Sequence, residues 1–237
     1  MKNKNVLLST IAALSLLTGC VSTMPDVMQG EKTQKGAAIG AVAGAILGTV
    51  TGKGNKGKRA AAGAAIGSVI GGVVGYNMDQ QAKEIAQVLD TSVDNSPNAE
   101  LNQNSDIIVT NNDKYVKITF REAMMFPTNS STLTGAARLK INKMISILKN
   151  YPTTLVQVVG HTDNRGSHSY NQTLSQKRAA SVASIITNSG VQNRVYKKGC
   201  SFDKPVAPNS SPANMSLNRR VEIFLYQSEE FVIDQCI

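Results

Sequence analysis

Tryptophan is absent from the chain, and aromatic residues make up only 5% of it. A broad aromatic core is therefore excluded, and so is a stacking platform for bases, so no nucleic-acid partner is expected. Three Cys and two His are too few and too scattered for a zinc site, which wants four ligands in short-spaced pairs. No Ser stands in a nucleophile-elbow pattern. His161, Asp163 and His168 fall within one short stretch, but no Cys or Glu lies beside them, so neither catalysis nor a cofactor is expected. What the composition does supply is positive charge, +9 over 237 residues, which points to an anionic partner. Nucleic acid, acidic lipid and a carboxylate-bearing wall polymer all satisfy charge alone. The length allows one ordinary domain and something more.

The first twenty residues indicate a compartment. Lys2 and Lys4 form a positive head, and Val6 to Leu17 follow as an apolar run broken by Ser9, Thr10 and Ser15. This is the order and length of a signal peptide, shorter than the ~20 apolar residues needed to span a bilayer. The run ends in Leu17-Thr18-Gly19-Cys20, which resembles the bacterial lipobox. That resemblance implies removal of residues 1–19 and acylation of Cys20, followed by a short segment over 20–35. Each buried methylene contributes about 0.8 kcal/mol, so several acyl chains make a lasting anchor in lipid. Val21 follows the Cys where an Asp would resemble an inner-membrane retention signal, so the expected location is the outer membrane, facing the periplasm.

Residues 36–76 contain an internal repeat. Gly36, Gly40, Gly44, Gly48 and Gly52 recur every fourth residue, and so do Gly63, Gly67, Gly71 and Gly75. On a helix this spacing places every glycine on one face, where another helix packs closely. Glycine costs about 1 kcal/mol per helix-interior position relative to Ala, so a regular run needs packing to justify it. Lys53 to Arg59 forms a polar break, and the segment reads as a helical hairpin. It resembles the glycine-zipper segments of bacterial envelope lipoproteins, which implies membrane insertion or a homo-oligomer joined through the glycine faces. A hairpin packed only on itself is the alternative. Residues 77–106 read as a short polar helix to about Leu89 and then a linker rich in Ser, Asn and Asp. Fully extended, those residues would reach about 100 Å.

From 107 to 227 the pattern is α/β. Ile107–Thr110 and Tyr115–Phe120 read as strands around Asn111-Asn112-Asp113. Thr134 caps a helix to Lys149 that carries Ala137, Ile141, Met144, Ile145 and Leu148 at helical spacing. Leu155–Val159 is almost continuously apolar, as in a strand covered on both faces. A second helix runs from about Tyr170 to Asn188, and Val195–Lys198 and Val221–Tyr226 supply later strands. The resulting order is strand, helix, strand, helix, strand, strand, in a layered fold.

Arg178 lies in the middle of the second helix's apolar stripe, with Asn171 alongside. A guanidinium on such a face is costly unless a partner meets it. Asp163 follows the central strand, where ligands of α/β sheets usually sit. The pair suits a zwitterion, with Asp163 taking an ammonium and Arg178 a carboxylate. A purely structural Asp163–Arg178 salt bridge fits the residues equally well.

Three blocks are recognisable in order: Gly160-His161-Thr162-Asp163, then Asn171-x-x-Leu174-Ser175-x-x-Arg178-Ala179, then Asn218-Arg219-Arg220-Val221-Glu222. Together they resemble the OmpA C-terminal family of peptidoglycan-binding domains, and with the lipobox and zipper the chain resembles YiaD-type envelope lipoproteins. The resemblance implies a βαβαββ domain that holds the diaminopimelate of peptidoglycan stem peptides between Asp163 and Arg178. Asn171, Leu174 and Thr162 are expected to line the pocket, with Arg220 near it. It implies a tether between outer membrane and wall; the competing reading is an envelope assembly factor acting through the zipper. Phe126-Pro127-Thr128-Asn129 departs from the family, many of whose members have an acidic residue after the Phe. The tail 228–237 extends beyond the usual end and carries Cys236. An oxidising periplasm would permit a Cys200–Cys236 disulfide, and two free thiols are the alternative. Residues 107–228 hold 16 Lys plus Arg against 5 Asp plus Glu, a net +11, which suits a wall rich in carboxylates.

Overall fold

The computed structural model describes residues 77–237. The expected signal peptide, Cys20, the segment 20–35 and the glycine repeat lie outside the described residues. Among the described residues, no helix is long and apolar enough to cross a membrane.

Five strands make one sheet: β1 Ile107–Asn111, β2 Tyr115–Arg121, β3 Leu155–His161, β4 Val195–Gly199 and β5 Arg220–Tyr226. Asn112 turns the first hairpin, its side-chain oxygen accepting from the backbone N–H of Lys114 and Tyr115 at 2.9 and 3.0 Å. The spatial order is β1-β2-β5-β3-β4, so the last strand in sequence lies in the middle, antiparallel to both neighbours. β4 lies parallel to β3. The helices are α1 over 77–88, a single turn α2 at Glu122–Met125, α3 Gly135–Leu148, α4 His168–Asn188 and a short α5 Pro212–Asn218. Thr134 caps α3 as expected, accepting from Ala137 N at 3.0 Å. The second helix begins two residues earlier than the apolar stripe suggests, because Ser167 is its cap and accepts from Tyr170 N at 3.2 Å. Gly190, at φ +77°, follows its end.

Period two assigns the faces of the sheet. Val156, Val158 and Gly160 face α4, and the helix comes so close that a Cβ on Gly160 would lie 2.2 Å from Ser175 O. Gly199 is similarly confined, since a Cβ there would lie 2.4 Å from Gln176 N. The opposite face carries Leu155, Val159, Phe224 and Tyr226, which cluster with Cys200. Phe231, Val232 and Cys236 of the C-terminal tail pack over that cluster, and a Cys200–Cys236 disulfide fastens the tail there. Of the two states left open by the sequence, the bridge is the one observed.

A helix forms over 77–88, where a short polar helix is expected, but residues 91–106 depart from the linker expected of them. α1 buries Met78, Ala82, Ile85 and Ala86, with Leu89 just beyond it, and Gln81 donates to Thr154 Oγ1 at 3.2 Å. Lys140 donates to Leu89 O at 2.9 Å and also pairs with Asp90. Val93 bridges Val109 on the outer edge of β1, and the Asp94 N–H donates to Val109 O at 2.9 Å. The buried Arg121 donates to Glu100 O, and Glu100 forms an ion pair with Lys117. The docking beyond Leu89 is made by main-chain bonds and charges, which leave no hydrophobic period in the sequence. The 100 Å reach is therefore not supplied by these residues.

Candidate functional site

The candidate site is a cavity of about 520 Å³ where the C-terminal end of β3 meets α4, α2 and the loop after α2. Thr162 and Asp163 enter it directly from β3, while Asn171, Leu174 and Arg178 enter from successive turns of α4. Their spacing of three and four residues is what brings them to one side of the helix. Gly166, at φ +90°, turns the chain between strand and helix. Asn171 secures that turn by donating to Arg165 O at 2.9 Å.

Asp163 and Arg178 line the same cavity but do not pair with each other. Arg178, only 2% exposed, pairs through Nη2 with Glu122, donates through Nε to Ser130 O at 3.0 Å, and lies over the Phe126 ring at 5.2 Å. Glu122 also pairs with Arg219, whose Nη1 donates to Asp163 Oδ2 at 2.8 Å. Arg165 completes the series, donating to the same oxygen through Nε at 3.0 Å and Nη2 at 2.8 Å. The site is thus an alternating row of Arg178, Glu122, Arg219, Asp163 and Arg165. Three cations against two carboxylates leave it positive by one, a bias toward an anionic ligand group. The Thr162 hydroxyl is buried in this lining without a hydrogen-bond partner among the described residues. Burial works against ionisation of Asp163, but donors from Arg165 and Arg219 prevail and hold its pKa below the usual carboxylate range.

Of the residues expected here, Asp163, Arg178, Asn171, Leu174 and Thr162 come together, and Arg220 does not. Arg220 is in phase with Glu222 on β5, so it lies on the face of the sheet away from α4. There it donates to Glu222 Oε1 at 2.8 Å and to Asn218 O at 3.2 Å. Its neighbour Arg219, one residue before the strand, takes the place in the cavity. Glu122, Arg165 and Phe126 also belong to the site. No charge pattern marks Glu122 from sequence alone, since it lies 56 residues before Arg178.

The two histidines are elsewhere. His161 Nε2 lies 3.1 Å from Glu222 Oε2, beside Arg220, and His168 pairs with Asp203 at the surface. No group of three or more His, Cys, Asp or Glu able to hold a metal occurs among the described residues. Burial, reinforced by Arg220, lowers the pKa of His161, outweighing the opposite pull of Glu222. Burial opposes ionisation of Glu222, yet Arg220 and His161 hold its pKa well below the ordinary value. A folded state that keeps His161 neutral loses stability as pH falls below the unfolded value of about 6.5, at up to about 1.4 kcal/mol per unit from this group. Denaturation at pH 7.5, 6.5 and 5.5 should show that decline, and His161→Asn should flatten it. An equal slope in the variant would assign the decline to other groups.

Comparison with known proteins identifies two parts. The OmpA family profile matches residues 125–219. A YMGG-like Gly-zipper profile matches residues 1–79. Probable lipoprotein YiaD of Escherichia coli strain K12 is 39% identical over 124 residues, covering 52% of this chain and 53% of that protein. Outer-membrane lipoprotein YfiB of Pseudomonas aeruginosa is 36% identical over 103 residues, covering 43% of this chain and 61% of that protein. The match therefore spans roughly half to three fifths of these two relatives. Among solved structures, the cell wall anchor of the T6SS from Pseudomonas aeruginosa superposes with a TM-score of 0.50 at 26% identity, over 62% of this chain and 99% of that one. Residues 1–79 are thus similar to a YMGG-like Gly-zipper and residues 125–219 to the OmpA family.

Proposed function

We propose that this chain is an outer-membrane lipoprotein, anchored through acylated Cys20 and facing the periplasm. Its OmpA family domain binds peptidoglycan non-covalently and tethers the outer membrane to the wall. The carrying observation is that Asp163 and Arg178 line one cavity yet leave each other unpaired, with the Thr162 hydroxyl unsatisfied beside them. That arrangement suits the amino-acid end of diaminopimelate in a stem peptide, with its ammonium toward Asp163 and its carboxylate toward Arg178 in a charge-assisted contact. The net positive row of side chains favours the carboxylate. The relatives named as outer-membrane lipoproteins, and the solved structure titled a cell wall anchor, support the same reading.

The test is co-sedimentation of the full-length protein, in mild detergent, with purified diaminopimelate-type sacculi. The wild type is expected in the pellet, released by free diaminopimelate, and Asp163→Ala in the supernatant. A wild type that stays in the supernatant would remove the wall as the ligand and leave the zipper segment as the place to seek function. The anchor is tested separately: labelled palmitate should appear on the wild type and not on Cys20→Ala, and label on both would refute acylation at that residue.

A further inference from the structure

We propose that Arg165 is a resident competitor for the Asp163 carboxylate, displaced when an ammonium-bearing ligand enters, so that it sets the affinity of the site. The inference rests on Asp163 being the contact for the ligand's ammonium. It concerns a residue that touches the pocket's carboxylate without being needed to hold it in place.

Asp163 has little capacity left. Its Oδ2 accepts from Arg165 Nε, Arg165 Nη2 and Arg219 Nη1 at 3.0, 2.8 and 2.8 Å, more donors than a carboxylate oxygen has in-plane lone pairs. Its Oδ1 accepts the Arg165 backbone N–H at 3.1 Å. An ammonium reaching Oδ2 must therefore take the place of one of the two guanidinium groups. Arg219 is fastened at both ends, to Asp163 and to Glu122, and its side chain is 25% exposed. Among the described residues Arg165 has Asp163 as its one carboxylate partner, and its side chain is 66% exposed. A guanidinium that is mostly in water loses little on returning to it, because exposed ion pairs are weak. Arg165 is therefore the group that yields. Its backbone N–H bond to Oδ1 survives the exchange, so the carboxylate stays aimed while its other oxygen changes partner.

The full-length protein in detergent is titrated with diaminopimelate-type sacculi at about 0.15 M salt, where charges more than about 8 Å apart are largely screened. Arg165→Ala should bind about two- to fivefold more tightly than wild type, the range an exposed ion pair allows. Arg165→Lys, which keeps a cation within reach, should return to wild-type affinity. The acid limb of binding gives a second readout. With the side chain gone, Asp163 takes up its proton at higher pH, so the loss of binding on acidification should begin earlier in Arg165→Ala. Equal or weaker binding by Arg165→Ala, with an unmoved acid limb, would overturn the competitor role while leaving wall binding intact. Failure of the wild type itself to bind sacculi would overturn the wall-binding reading and this inference with it.

Discussion

Gly160→Ala is expected to destabilise the domain by about 3 kcal/mol or more and to abolish ligand retention in the same step. The added methyl would lie 2.2 Å from Ser175 O and 3.0 Å from Ser175 C, both backbone atoms in the middle of α4. No side-chain rotation relieves a clash with a helix backbone, so α4 must move away from β3. That movement carries Asn171, Leu174 and Arg178 away from Thr162 and Asp163, which are fixed to the strand's end. Gly135→Ala is the control, because a methyl there meets nothing within 4 Å and improves helix propensity. Urea denaturation of the two variants beside wild type gives the comparison. A Gly160→Ala midpoint within about 1 kcal/mol of wild type would mean that strand and helix tolerate separation, contrary to the close packing described.

Arg178→Ala should cost about 3 kcal/mol and remove binding to sacculi. Deleting one partner of a buried ion pair leaves the other charge uncompensated, which typically costs 3–5 kcal/mol. The lower end applies because Glu122 keeps Arg219 as a second partner. Loss of binding in this single variant would mix a folding defect with the loss of a contact, so the informative variant is the double Arg178→Ala with Glu122→Ala. It removes the carboxylate that has lost one of its two cations and should recover part of the lost stability without recovering any binding. Denaturant midpoints for the two singles and the double give the coupling energy. A double variant less stable than the single would show that Glu122 does not depend on Arg178 for its compensation.

Several elements were legible because local chemistry settles them. Thr134 before an apolar period of 3.6 marks a helix start, and Leu155–Val159 is apolar on both faces because it is covered on both faces. Arg178 stood out because a guanidinium on an apolar stripe demands a partner. The identity of that partner was not legible: Glu122 sits in a single turn of helix with no pattern of its own and meets Arg178 only after the sheet has assembled. The choice between Arg219 and Arg220 was legible in principle. Val221, Ile223 and Leu225 alternate with Glu222, Phe224 and Tyr226, and that alternation places Arg220 with Glu222, away from α4. The docking of residues 91–106 escaped because it depends on backbone groups of the β1 edge, which every sequence possesses equally.

The central position of β5 has a consequence in time. A chain supplied from its N-terminus has β1 and β2 available as one ribbon, and β3, α4 and β4 as another, long before residues 220–226 exist to join them. Until then each ribbon presents an unpaired edge, on β2 and on β3, and such edges recruit strands from other chains. The order of synthesis thus runs against the order of assembly, and a product stopped short of Tyr226 is two sticky halves rather than a smaller domain. Because the joining contacts link distant parts of the chain, closure is expected to be slow.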